Sequence, residues 1–207
     1  IAGKKDVAKA ASKQGGTTIP IVLSTVFVLG IFLFFIFCIN PMKKNLFRGI
    51  PESPYHLSVG AVLVDSKGQI ACHYLKEFQT ADQDTLLDFY VLMRETVESG
   101  ESIEGAVLRG MKEEFGATGE IQKFLGTLVT KFPRGKVWIE KTTVYFLVQL
   151  TGVDLSARVF DAETKESDVQ WQSIDFLISK MEEQKKKYER TDLDESEILK
   201  RVKLYLQ

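Results

Sequence analysis

No charged residue occurs between Gln14 and Met42, a run of 29 positions in a chain of 207 that otherwise carries 27 Lys+Arg and 28 Asp+Glu. Residues 21–39 read IVLSTVFVLGIFLFFIFCI, and with Ile19 and Pro20 they supply the ~20 apolar positions that cross a bilayer core. The run is apolar on every side, whereas a helix at the edge of a soluble core keeps one polar face. Its length, and the lack of a small-x-small site before Lys43 and Lys44, fit a cleaved signal peptide poorly. The sequence therefore predicts a basic tail over residues 1–18, a membrane-spanning helix over 19–41, a linker over 42–55 containing Pro51 and Pro54, and a domain over 56–207. Lys4, Lys5, Lys9 and Lys13 flank one side and Lys43, Lys44 and Arg48 the other, so flanking charge does not set an orientation. The expectation is a membrane anchor with the domain in the cytoplasm. The chain begins at Ile1, and Met42 offers an independent start from which the domain would be a soluble cytoplasmic protein.

From Met42 onward, 166 residues carry 23 basic and 27 acidic groups, enough chain for a core and no positive excess for nucleic acid. Two cysteines exclude a disulfide scaffold. His56–Val64 and Gln69–Leu75 read as strands around the turn Asp65-Ser66-Lys67-Gly68, and Phe89–Met93 as another short strand. Ser102 caps a helix whose apolar stripe is Ile103, Ala106, Val107, Met111 and Phe115, with Gly116 ending it. Ile121–Lys131 and Lys136–Leu150 read as strands joined through Pro133-Arg134-Gly135, and Asp168–Gln172 as a strand around Trp171. Ile174–Tyr188 is helical, and Asp192 with Glu195 suggests the cap of a last helix bearing Ile198, Leu199, Val202 and Leu206. This order predicts an α+β fold, a mixed sheet sandwiched between helices.

The chemistry concentrates at Gly100–Ala117. Glu113 and Glu114 stand near the end of the short helix, Arg109 lies one turn before Glu113, and Glu101 precedes the helix. Adjacent carboxylates at a helix end, joined by an acid from the preceding loop, are the oxygen donors that a hard divalent cation takes. The competing reading is a solvated acidic face. The spacing resembles the Nudix box, G-x5-E-x7-R-E-U-x-E-E-x-G-U with U a bulky apolar residue: Glu101, Arg109, Met111, Glu113, Glu114 and Gly116 match it, and the small Ala117 takes the last apolar place. Trp171-Gln172-Ser173-Ile174-Asp175 is similar to the segment before that family's closing helix, and the resemblance spans roughly residues 56–180.

The resemblance implies a Nudix-type α/β/α sandwich and hydrolysis of a diphosphate linkage in a nucleoside diphosphate derivative. It implies Mg²⁺ or Mn²⁺ as cofactor, Glu113, Glu114 and Glu101 as metal ligands, and Glu113, Glu114 and Arg109 as catalytic residues. A small-molecule nucleotide is the implied partner, nucleic acid is not, and a homodimer is compatible with the way such domains pair. Two departures stand out. Arg94-Glu95 replaces the usual Gly-Gly pair, and Gly110 replaces the Glu after Arg109, a usual metal ligand. Glu95, Glu98 or Glu101 could fill that gap, and Glu140, Glu163 or Glu166 could add an acid from a later loop. The alternative function is a catalytically impaired domain that binds a nucleotide or a protein. His56 and His73 show no metal-ligand spacing and read as structural or exposed; Cys72 reads as sheet packing. Tyr90, Phe132 and Trp138 read as core or as a base pocket, and Lys185-Lys186-Lys187 as a solvated helix face.

Overall fold

The computed structural model describes residues 46–80, 84–159 and 167–206. The tail expected over 1–18 and the span expected over 19–41 lie outside them. Among the described residues no helix is long and apolar enough to cross a membrane.

Seven strands make one mixed sheet: β1 (Tyr55–Val64), β2 (Ile70–Gln79), β3 (Thr85–Val91), β4 (Met93–Thr96), β5 (Ala117–Arg134), β6 (Val137–Val153) and β7 (Asp168–Gln172). The order is β3-β2-β1-β6-β5, with β4 paired to β1 and β7 to β2. β1 is the central strand. It runs parallel to β6 from Tyr55 to Val64 and antiparallel to β4 from Ser58 to Ala61, and it meets β2 at Leu63 and Val64. A strand covered on both faces needs apolar residues at successive positions, and β1 supplies them. Val59, Ala61 and Leu63 face helix α1 (Ile103–Phe115), with Ala106, Val107, Met111 and Phe115. Val62 and Val64 face α2 (Ile174–Tyr188) and α3 (Ser196–Leu206), with Leu177, Met181, Ile198, Leu199 and Val202. This is the expected mixed sheet between helical layers.

Three local expectations change. The strand read as Phe89–Met93 is two strands, because the chain leaves β2 for β1 at Leu92, whose N–H donates to the buried Glu195 carboxylate at 2.8 Å. The hairpin is longer than its composition suggested: β5 starts directly after Gly116, Arg134 pairs with Val137, and only Gly135 and Lys136 turn between them, with Gly135 at φ +63°. Asp192 does not cap the last helix. It sits in a short 3-10 turn with its carboxylate held by Arg190, while Asp194 Oδ1 accepts from the Ser196 N–H at 2.9 Å. Residues 47–54, read as linker, are tied to the domain through Leu57 N to Phe47 O, Glu140 N to Pro54 O, and Arg134 Nη1 to Gly49 O.

Candidate active site

Helix α1 is fixed at both ends. Ser102 Oγ accepts from the Gly105 N–H at 3.0 Å, satisfying one of the orphan donors of the first turn. At the other end Gly116 is left-handed at φ +58° and donates to Lys112 O. A Cβ there would stand 1.9 Å from Asp154 O, so only glycine lets the chain pass from helix to β5 at this point. The buried stripe of α1 includes Gly110 and Glu114 as well as Ala106, Val107 and Met111.

Arg109 organises the charged side of the site. Its Nε and Nη2 donate to both oxygens of Glu101 at 2.9 and 3.0 Å, a bidentate fork. Nη2 also donates to Thr96 O at 2.9 Å. Nη1 reaches Glu113 Oε2 at 3.2 Å and Glu95 Oε2 at 3.3 Å, so one cationic nitrogen is shared by two carboxylates. Arg109's hydrogen bonds hold the Glu101 carboxyl below the usual carboxylate range, and the Glu101 hydrogen bonds in turn raise the arginine. Burial and then the charge of Glu114 push Glu95 the other way, above that range, with Arg109 opposing them.

Glu114 is only 8% exposed. Its Oε2 lies 2.8 Å from His73 Nε2, and His73 Nδ1 lies 3.0 Å from Ser167 Oγ. Arg158 Nη2 donates to the same Ser167 oxygen at 3.2 Å, and Arg158 Nε donates to Glu114 O at 2.6 Å. With the serine hydroxyl donating to Nδ1 and Nε2–H donating to the carboxylate, every donor in the series runs toward Glu114. His73 is thus a buried structural histidine in contact with a box carboxylate, a contact that neither its spacing nor its neighbours in sequence announced.

Gly110 lies under Glu95. A Cβ at 110 would stand 2.8 Å from Glu95 Cβ, 2.9 Å from Met93 Sδ and 3.3 Å from Glu95 Cγ. Of the three acids named for the gap, Glu95 therefore occupies its space, Glu101 is held in the arginine fork, and Glu98 is exposed. Glu140 pairs with Lys131 at 3.5 Å on the β5–β6 hairpin. Glu163 and Glu166 lie outside the described residues.

The remaining candidates are dispersed. Tyr90 is buried against Tyr74 and Phe176 in the core under α2 and α3, Phe132 meets His56 edge-on, and Trp138 is exposed. Cys72 is fully buried in the sheet, and burial followed by the charge of Glu195 pushes its thiol up to about 12, which leaves no thiolate for nucleophilic work. His56 is half-buried and accepts from the Gly49 N–H at Nδ1. Lys185, Lys186 and Lys187 are exposed, as a solvated face requires.

A family model described as NUDIX domain matches residues 54–191. Among solved structures, the chain is similar to the MutT protein from Methanosarcina mazei Go1, at 21% identity and a TM-score of 0.40 over 61% of this chain and 82% of that chain. It is also similar to a NUDIX hydrolase from Nitrosomonas europaea, at 17% identity and a TM-score of 0.48 over 72% of this chain and 86% of that one. No curated protein matches the chain.

Proposed function

Since the chain belongs to the Nudix family, whose hydrolases generally use divalent metals and act on small nucleotide substrates, we propose that it hydrolyses a diphosphate linkage in a nucleoside diphosphate derivative with Mg²⁺ or Mn²⁺. The observation that carries this reading is the arrangement around α1, which keeps Glu113 and Glu114 together at the helix end while Arg109 is committed to Glu101. The donor set suits a hard cation. It is made of carboxylate oxygens, and Glu95 and Glu113 already share one cationic nitrogen. Among the described residues no three His, Cys, Asp or Glu side chains converge as a ready-made cage. Glu101 faces Arg109 and Glu114 faces His73.

A bound divalent cation supplies charge neutralisation at phosphoryl oxygens and a more acidic water. Glu113 and Glu114 supply the oxygens that hold it. His73, backed by Ser167 and Arg158, fixes the carboxylate plane of Glu114, as an outer-shell donor does for a ligand. Arg109 and Glu101 join the loop before α1 to the helix and so position the acids, rather than adding a third free carboxylate. Residues 19–41, read as a membrane anchor, would hold the domain at the cytoplasmic face, and fractionation of the full chain against one starting at Met42 tests this.

The activity test is turnover of a panel of nucleoside diphosphate derivatives by the full chain with Mg²⁺ or Mn²⁺. Turnover lost in Glu114→Gln is the expected result. The missing carboxylate at Gly110 favours a second reading, a nucleotide-binding domain with impaired hydrolysis. Measurable binding of those compounds with no turnover in either metal would establish that reading instead.

A further inference from the structure

We infer that Arg94 is a binding residue for the phosphoryl groups of the substrate, at the edge of a cationic patch that it forms with Arg48, Arg134 and Lys141 around His56. The inference rests on the nucleotide reading above and names the side chain that takes the anion.

Three observations carry it. First, the donors of Arg94 are unused. Its one ion pair is with Glu195, at 3.8 Å, beyond hydrogen-bond distance. The two Glu195 oxygens are already taken, Oε2 by the Leu92 N–H and Oε1 by the Tyr145 hydroxyl. Arg109, Arg134, Arg158, Arg190 and Arg201 all donate to protein oxygens, whereas Arg94 donates to none among the described residues. An ion pair with Glu195 accounts for its charge, but not for a planar fork of five N–H groups left without an acceptor. The side chain is 24% exposed, so that fork is within reach of a ligand. Secondly, Arg94 borders the box acids. The next residue, Glu95, pairs with Arg109 beside Glu113. Glu195 and, last among its neighbours, Glu114 help to keep Arg94 protonated, although burial acts first and against them. Thirdly, cations gather here in a domain whose acids outnumber its bases. Lys141 pairs with His56 in the register of β1 and β6, and Arg134 Nη1 holds Gly49 O while the Gly49 N–H donates to His56 Nδ1. After burial, the charges of Lys141, Arg48, Arg94 and Arg134 all bear on His56. A fork that accepts two oxygens at once, inside a positive field, suits a phosphoryl group.

The experiment is calorimetric binding of ADP and of inorganic pyrophosphate to the full 207-residue chain in buffer containing Mg²⁺, with a thermal melt of each variant. Arg94→Gln should weaken both probes by about tenfold or more, since each presents phosphoryl oxygens. Arg94→Lys keeps a positive charge beside Glu195 and should keep the melt, yet weaken both probes several-fold because an ammonium cannot form the fork. Should Arg94→Gln melt early, Arg94→Lys decides. If the wild type binds ADP and both variants bind it equally well, the role of Arg94 is overturned and the nucleotide reading stands. If the variants lose ADP but hold pyrophosphate like the wild type, Arg94 does not bind the anion and the inference is overturned. If the wild type binds neither probe, the nucleotide reading falls with it.

Discussion

At the scale of single residues, Arg109 does the most with one side chain. Its fork on Glu101, its bond to Thr96 O and its shared nitrogen between Glu95 and Glu113 use the planar geometry that lysine lacks. Arg109→Lys should therefore destabilise the domain by about 1–2 kcal/mol in urea titration, despite the retained charge. The pH dependence has a definite sign. Glu101 titrates below its unfolded value, so its contribution is fully present above that value and is lost as pH falls through the lower, folded one. Melting temperature should drop less steeply across the acid range in Glu101→Gln than in the wild type. His56 acts in the same direction over a different window. Burial first, then Lys141, lowers it from 6.5 to about 3, and its Nδ1 accepts a backbone N–H and so stays unprotonated. Its stabilising contribution is intact above about pH 6.5 and is lost progressively as pH falls toward 3. His56→Gln should flatten the melting profile between those limits.

Among elements, α1 shows how far sequence reaches. Its cap at Ser102, its stripe and its stop at Gly116 are local signals, and each is where the spacing put it. Gly116→Ala should cost at least ~2 kcal/mol by urea midpoint, from the left-handed backbone and from the close approach of Asp154 O. The same spacing, carried one turn further, places Glu114 on the buried stripe with Gly110, seven residues after Val107. That much was readable. What was not is the partner, His73, forty-one positions away and brought close only by sheet pairing. The break at Leu92 escaped for a similar reason: Phe89–Met93 is uniformly strand-forming, and the turn between strands is set by a carboxylate from the far end of the chain. The hairpin was underestimated because Pro133 looks like a breaker, yet β5 lies at the edge of the sheet order, where a missing N–H is tolerated.

On the scale of the whole molecule, one buried carboxylate ties the helical layer to the sheet. Glu195, at the start of α3, accepts from the Leu92 N–H and the Tyr145 hydroxyl and stands 3.8 Å from Arg94. Glu195→Ala would leave the buried Leu92 N–H without this acceptor and remove the acid beside the Tyr145 hydroxyl and Arg94. It should lower stability by about 3 kcal/mol in denaturant titration with the slope unchanged, since no new surface is exposed on unfolding. Gln184 makes a second tie, accepting from Tyr90 N and donating to Tyr90 O and Leu193 O. Glutamate and glutamine in amphipathic helices read as surface, so neither tie is visible before the strands are in place.

The contact between positions 95 and 110 also constrains ancestry. Glutamate at both places is sterically disfavoured by the 2.8 Å approach of Glu95 Cβ, and glycine at both removes one of the carboxylates paired with Arg109. A lineage crossing between this arrangement and the ordinary one must pass through one of those two disfavoured intermediates. The two positions should therefore be inherited as a pair, with chains that carry an acid at 95 keeping glycine at 110.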